Sequence, residues 1–225
     1  MCCSLRRSER LWMRFETIRP EDIEKRSFEI IRAELLEAGI RPDEENASVI
    51  LRCIHTSADL DYASTLAFSE NAVAVMKDLI KNGADIVTDT NMARAGINKT
   101  LLASFGGEVH CFMGDEEVAR EARERGMTRA AVSMERAAGL KKEIIFAVGN
   151  APTALIRLYE LMEDGIFRPA FVIGVPVGFV NVIPAKNLFL ASDVPHIINR
   201  GRKGGSAIAA AICNAVLYDL RKQNA

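Results

Sequence analysis

The spacing of apolar residues changes character near residue 84. Before it, the period is helical. Pro20–Ala38 places Ile23, Phe28, Ile31 and Leu35 on one face, with Pro20, Glu21 and Asp22 suited to a first turn and Gly39 as a stop. Arg41–Ser57 repeats the pattern with Ala47, Ile50, Leu51 and Ile54, and Ser69–Asn82 with Val73, Met76, Leu79 and Ile80. Between these two, Ala58–Leu66 has weak periodicity and is expected to be a loop. After residue 84 short apolar runs alternate with helical segments. Ala84–Asp89, Glu108–Met113, Glu143–Val148, Ala170–Gly174 and Val194–Ile198 are the expected strands. Thr90–Ile97, Asn98–Phe105, Asp115–Arg125, Thr128–Ala138, Pro152 to Asp164, Asn181–Ala191 and Ser206 to about Arg221 are the expected helices. Pro184 sits awkwardly in the early turns of its helix, and Asn150 is placed to cap the helix that Pro152 opens. Strands alternating with helices predict an α/β fold, a doubly wound five-stranded parallel sheet behind an N-terminal helical segment. In such sheets ligands bind beyond the carboxyl ends of the strands.

Composition narrows the classes of partner. The chain has 225 residues, 49% of them apolar, enough for one well-buried domain. A net charge of −1, with Lys and Arg spread along the chain, gives no support for a nucleic-acid partner. The uncharged run Pro169–Ala185 is broken by Pro176 and several glycines, so no membrane span is expected. The five cysteines lack CxxC spacing, which favours reduced thiols and a cytoplasmic location. His110-Cys111, adjacent on a strand, points to opposite faces, so no metal site is expected. Residues 1–13 carry three arginines without an apolar core and are expected to be a disordered leader, with residues 14–225 as one domain.

Candidate chemistry then falls on a few positions. Arg200–Ser206 is a basic, glycine-rich loop opening a helix, either an anion site or a solvated turn. It is neither a Walker nor a dinucleotide-binding motif. His55, with Asp59 four residues on, is a proton donor near neutral pH or a structural histidine. Asp89-Thr90 ends a strand where ligands collect, and equally suits a helix cap. Arg129, at a helix start, is of a type that pairs bidentately with carboxylates, and Ser27 is a polar residue beside an apolar helix face.

Taken in order, these residues resemble the precorrin-8X methylmutase family of corrin biosynthesis, including its cobalt-precorrin-8 branch. The resemblance runs from about Pro20 to Leu220. It rests on Ile23-Glu24 with Ser27-Phe28, Ile54-His55 with Asp59, Asp89-Thr90 with Gly96-Ile97, Thr128-Arg129, Gly149–Leu155, Val175–Val180 and Gly201–Ser206. It implies a flavodoxin-like strand order 2-1-3-4-5, a homodimer, no dissociable cofactor, and an intramolecular methyl shift from C11 to C12 of a tetrapyrrole, described as a 1,5-sigmatropic shift. It makes His55 the catalytic residue, protonating or hydrogen-bonding the ring. It implies substrate contacts at Ser27, Asp59, Thr90, Arg129, Asn150, Thr153, Gly178, Phe179, Arg202, Lys203 and Ser206. Val175–Phe179 and Ala151-Pro152 would form an apolar slot for the macrocycle. Arg129, Arg202, Lys203 and N–H groups at the Asn150 and Ser206 helix starts would meet its carboxylates. One departure stands out: Pro184-Ala185-Lys186 occupies the place where the family commonly has Glu-Ser-Lys. Two other readings use the same positions. One is a non-catalytic tetrapyrrole carrier; the other is a nucleotide-binding flavodoxin-like protein.

Overall fold

The computed structural model describes residue 16 and residues 18–223; the expected leader at 1–13 lies outside them. Six strands form one sheet: β1 (Leu66–Phe68), β2 (Asp85–Thr88), β3 (Val109–His110), β4 (Ile144–Val148), β5 (Phe171–Gly174) and β6 (His196–Asn199), in the order β1-β6-β5-β4-β2-β3. Neighbours from β3 to β6 are parallel, and β1 pairs antiparallel with β6, Leu66 opposite Asn199. The expectation of five strands, all parallel, is therefore corrected to a mixed sheet of six. The sixth strand starts at Leu66, the last residue of the segment expected to be a loop, and runs on to Phe68. Three residues are too few to show a period of two, and only pairing with β6 defines them as a strand. Ser69 N–H to His196 C=O and Arg200 N–H to Thr65 C=O extend that ladder on either side.

Period-two alternation then sorts the strands' side chains into two cores. Ile86, Ile145, Ala147, Phe171, Ile173 and Ile197 face one layer, packed by α1 (Ile23–Glu37), α2 (Ala47–Ser57), α4 (Ala72–Lys81), α5 (Asn91–Gly96), α6 (Lys99–Ala103) and α11 (Ser206–Gln223). Val87, Ile144, Phe146, Val148, Val172 and Ile198 face the other, packed by α8 (Arg129–Ala138), α9 (Pro152–Glu163) and α10 (Val182–Leu190). Every residue of β4 is buried, because helices cover the sheet on both sides. The short α3 (Tyr62–Thr65) precedes β1, and α7 (Glu116–Glu124) lies against α8 through Val118, Ala122 and Val132.

Several boundaries move. The second helix starts at Ala47, not Arg41, and the third at Ala72, after Asn71 adopts a left-handed backbone. The strand expected over Glu108–Met113 keeps only Val109–His110, since it is the sheet edge and pairs on one side alone. Asn150 does not cap α9; the cap position is Ala151, without a side-chain bond. Pro184 is the third residue of α10, within the first turn, where its missing N–H has no helical partner to lose.

At the amino edge of the sheet Asp85 is buried and accepts from the Glu108 N–H at 2.8 Å, Lys142 Nζ at 3.1 Å and His110 Nε2 at 3.1 Å. Burial works against its charge, and the Glu108 amide, Lys142 and His110 outweigh it, so the carboxyl titrates below its ordinary value. A depressed carboxyl contributes stability above its unfolded pKa and loses it as pH falls through the folded one. Urea midpoints measured downward from pH 5 should fall more steeply for the natural chain than for Asp85→Asn, the two curves converging in strong acid. Parallel curves would show that Asp85 does not link folding to protons.

Candidate active site

Four loops meet at the carboxyl edge of the sheet, those after β2, β4, β5 and β6. Asp89, directly after β2, is 0% exposed. Its carboxylate accepts the backbone N–H groups of Gly149 (2.8 Å), Asn150 (2.8 Å) and Ala151 (2.6 Å). Burial pushes this carboxyl up, against the three amides that pull it down. The amides of the turn leading into α9 are thus taken by the protein's own carboxylate. The expectation that amides around Asn150 meet substrate carboxylates is corrected accordingly. The Asn150 side chain is exposed and makes no hydrogen bond among the described residues.

Thr90, beside Asp89, caps α5 by accepting from Ala93 N–H at 3.1 Å, and its hydroxyl lies 2.8 Å from that of Ser206. Both readings of Asp89-Thr90 therefore have a physical basis: it caps a helix, and it lies at the meeting point of the loops. Thr153 accepts from the Thr128 hydroxyl at 2.9 Å, which ties the start of α9 to the start of α8. Arg129 is next to Thr128; it is exposed and makes no ion pair with a described residue.

The loops after β5 and β6 lie against each other. A Cβ on Gly204 would stand 2.0 Å from the Val175 carbonyl oxygen, and one on Gly149 would stand 2.8 Å from Ser206 Cα. Loop-on-loop contact thus requires glycine at 204, whereas Gly201 and Gly205 face open space and take positive φ values of +73° and +132°. Gly205 N–H donates to Val175 C=O and Gly178 N–H to Arg202 C=O. Phe179 and Val180, beyond this contact, are 85% and 78% exposed, and the Arg202 guanidinium lies 5.6 Å from the Phe179 ring centre. An exposed aromatic with a cation over one face is a surface suited to a flat, anionic ligand.

His55 is in the last turn of α2, exposed, with the edge of Phe28 against it at 5.5 Å between centroids. It shares with Ser27 a largely apolar groove of about 250 Å³, which Ile30, Ile31, Ile54 and Leu60 also line. The Ser27 hydroxyl donates back to Ile23 C=O at 2.9 Å. Arg52, one turn before His55, anchors the helix: it pairs with Glu24 at 2.6 Å and lies between the Phe28 and Tyr218 rings. Asp59 does not hydrogen-bond His55. It accepts instead from Lys203 Nζ at 2.6 Å, as does Asp61. The Lys203 hydrogen bond holds the Asp59 carboxyl below the ordinary range, against the small cost of burial. Lys203 is thus held by two carboxylates of the chain itself, while Arg129 and Arg202 are without a carboxylate partner among the described residues.

A model of the family described as precorrin-8X methylmutase matches residues 22–219. The chain belongs to the precorrin-8X methylmutase family. Relatives agree over most of their length. The chain is 44% identical over 211 residues to a cobalt-precorrin-8 methylmutase from Salmonella typhimurium, covering 90% of this chain and 97% of that protein. It is 38% identical over 196 residues to a precorrin-8X methylmutase from Pseudomonas aeruginosa, covering 86% and 93%. Among solved structures it is similar to the precorrin-8X methyl mutase from Thermus thermophilus, with a TM-score of 0.80 and 36% identity, covering 91% of this chain and all of that one.

For a methylmutase, two site features escaped the sequence reading. Asp89 was legible only as a strand end, since nothing local shows that its acceptors will face an amide turn sixty residues away. Lys186 is 1% exposed, and its Nζ donates to the carbonyls of Gly201 and Lys203, both at 2.8 Å. Burial lowers its pKa to about 8. A lone charge in the apolar helix VIPAKNLFL was its available signal. The Pro184-Ala185 departure also gains a location. Ala185 is fully buried in the second core, and Pro184 is exposed on the helix. A serine at 185 would therefore bury a hydroxyl among apolar side chains, which alanine avoids.

Proposed function

We propose that this chain is an isomerase of corrin biosynthesis, moving a methyl group from C11 to C12 of precorrin-8 or its cobalt form. The observation that carries the reading is family membership across residues 22–219, with His55 exposed beside an apolar groove and, near the loop edge, two arginines that have no carboxylate partner among the described residues. The methyl group moves within one molecule, so no atom is gained or lost. His55 lends a proton or a hydrogen bond to the ring and recovers it, favouring the tautomer from which the methyl migrates. The protein's remaining work is to hold one ring conformation. The exposed Phe179 face supports the flat macrocycle, and Arg129 and Arg202 meet its peripheral carboxylates. Thr90, Thr153, Gly178 and Ser206 shape the loop edge, and Ser27 lines the groove beside His55. The exposed pair Phe179-Val180 also suits association into a homodimer, and the parallel run β3-β2-β4-β5-β6 supports the flavodoxin-like order. Among the described residues no helix is long and apolar enough to cross a membrane.

The test is an absorbance assay with precorrin-8X and its cobalt form supplied separately, because rearrangement changes the chromophore. Conversion of either supports the reading; tight corrin binding with no conversion would favour a carrier instead. In the same assay Arg129→Ala should weaken corrin binding about 10- to 150-fold, the range for a charge-assisted hydrogen bond of about 1.5–3 kcal/mol. Unchanged affinity would remove Arg129 from the site.

A further inference from the structure

We infer that Lys203 and Lys186 are positioning residues that set the end of α2, and with it His55, rather than cations for substrate. The inference rests on the reading of His55 as the proton donor. Its geometric basis is a closed circuit of hydrogen bonds. Lys203 Nζ donates to Asp59 and Asp61, both at 2.6 Å, on the segment that leaves α2. Asp61 C=O accepts from Thr65 N–H at 2.9 Å. The Thr65 hydroxyl donates to Asn199 Oδ1 at 2.6 Å, and Asn199 Nδ2 donates to the Lys203 carbonyl at 2.9 Å, which returns the circuit to its start.

Two features make the circuit a device for position. First, the chain leaves α2 through Ala58, whose φ of +54° is left-handed and non-glycine. That conformation is held by something beyond local preference, and the Asp59-Asp61 grip on Lys203 follows it directly. Second, the Lys186 ammonium is buried under the same loop and, among the described residues, has no carboxylate on it and bonds only the Gly201 and Lys203 carbonyls. An ammonium in that setting costs free energy to bury; what it secures is the shape of the loop that presents Lys203. The Lys203 carbonyl is therefore gripped from below by Lys186 and from the side by Asn199, while its side chain grips the exit of the His55 helix. His55 itself makes no hydrogen bond among the described residues, so its place depends on its helix and on the Phe28 ring packed against it.

Single-turnover rate and product affinity separate position from binding. In the full-length protein, Lys203→Met should lower the single-turnover rate roughly 10- to 100-fold while leaving the dissociation constant for the metal-free corrin product within about twofold. The magnitude is that of a displaced catalytic group. Lys203→Arg, which can still bridge two carboxylates, should recover most of the rate. Asp59→Asn/Asp61→Asn should produce the same loss, and combining it with Lys203→Met should add little, as for residues of one unit. Lys186→Met should behave likewise; if it fails to fold, the Lys203 and Asp59/Asp61 variants carry the test. An affinity loss of tenfold or more at unchanged rate in Lys203→Met would make Lys203 a substrate cation and overturn the inference. So would a variant unchanged in both. In a His55→Ala background, Lys203→Met should cost nothing further. Full activity of His55→Ala by itself would instead overturn the assignment of His55, a result distinguishable from failure of the clasp.

Discussion

His55→Ala is expected to remove conversion almost entirely while leaving the corrin product bound. Positioned general acids contribute about 10²–10⁴-fold, and His55 is the histidine that the geometry offers for that role. His196 is buried with Nδ1 on the Val194 carbonyl, and His110 is held by Asp85 at the sheet's amino edge. Because His55 is exposed and outside the apolar core, alanine removes a functional group without opening a cavity. The variant should keep the thermal midpoint within a degree or two, and product affinity within about threefold. A rate unchanged within a factor of three would dismiss His55. A rate lost together with product binding would make His55 a binding residue instead.

The second large effect concerns stability. Asp89→Ala leaves the Gly149, Asn150 and Ala151 amides without their acceptor at a turn whose glycine is pressed against Ser206. A buried donor left unpaired costs about 1–3 kcal/mol; the Gly149 bond is buried and the Asn150 and Ala151 bonds partly so, and a loss of about 3 kcal/mol is expected. For a chain of this size that lowers the melting midpoint by roughly 6–12 °C. Asp89→Asn retains one acceptor oxygen and should fall between the two. Activity should drop as well, because the same turn places Thr153 and the start of α9. Calorimetry of the three proteins checks this, and an unaltered midpoint in Asp89→Ala would mean that water replaces the carboxylate at no cost.

The chain's own pattern revealed much of the fold. The all-apolar Ile144–Val148 and Phe171–Gly174 runs mark strands covered on both faces, since a half-exposed strand would alternate. The helical face of Ala47, Ile50, Leu51 and Ile54 by itself places His55 at a helix end. What stayed hidden were features whose partners are distant in sequence. Leu66–Phe68 becomes a strand only when β6 lies beside it. Lys203 reads as a free cation in a basic loop until Asp59 and Asp61, more than 140 residues earlier, are brought onto it. Gly204 reads as a ligand-cradling glycine until the Val175 carbonyl is seen to fill that space.

From the sequence alone came the alternation of strands and helices, the family, and the identity of the groups able to donate protons or meet carboxylates. Those follow from local periodicity and residue chemistry, which a linear string carries. Tertiary structure decided which of those groups are free. Burial and long-range pairing committed Asp89 to three amides, Lys203 to two carboxylates and Lys186 to two carbonyls, and left His55, Arg129 and Arg202 facing solvent. The division has one physical cause: a polar group's availability depends on what folding puts within hydrogen-bond distance, and that distance is set by contacts the sequence separates by tens of residues.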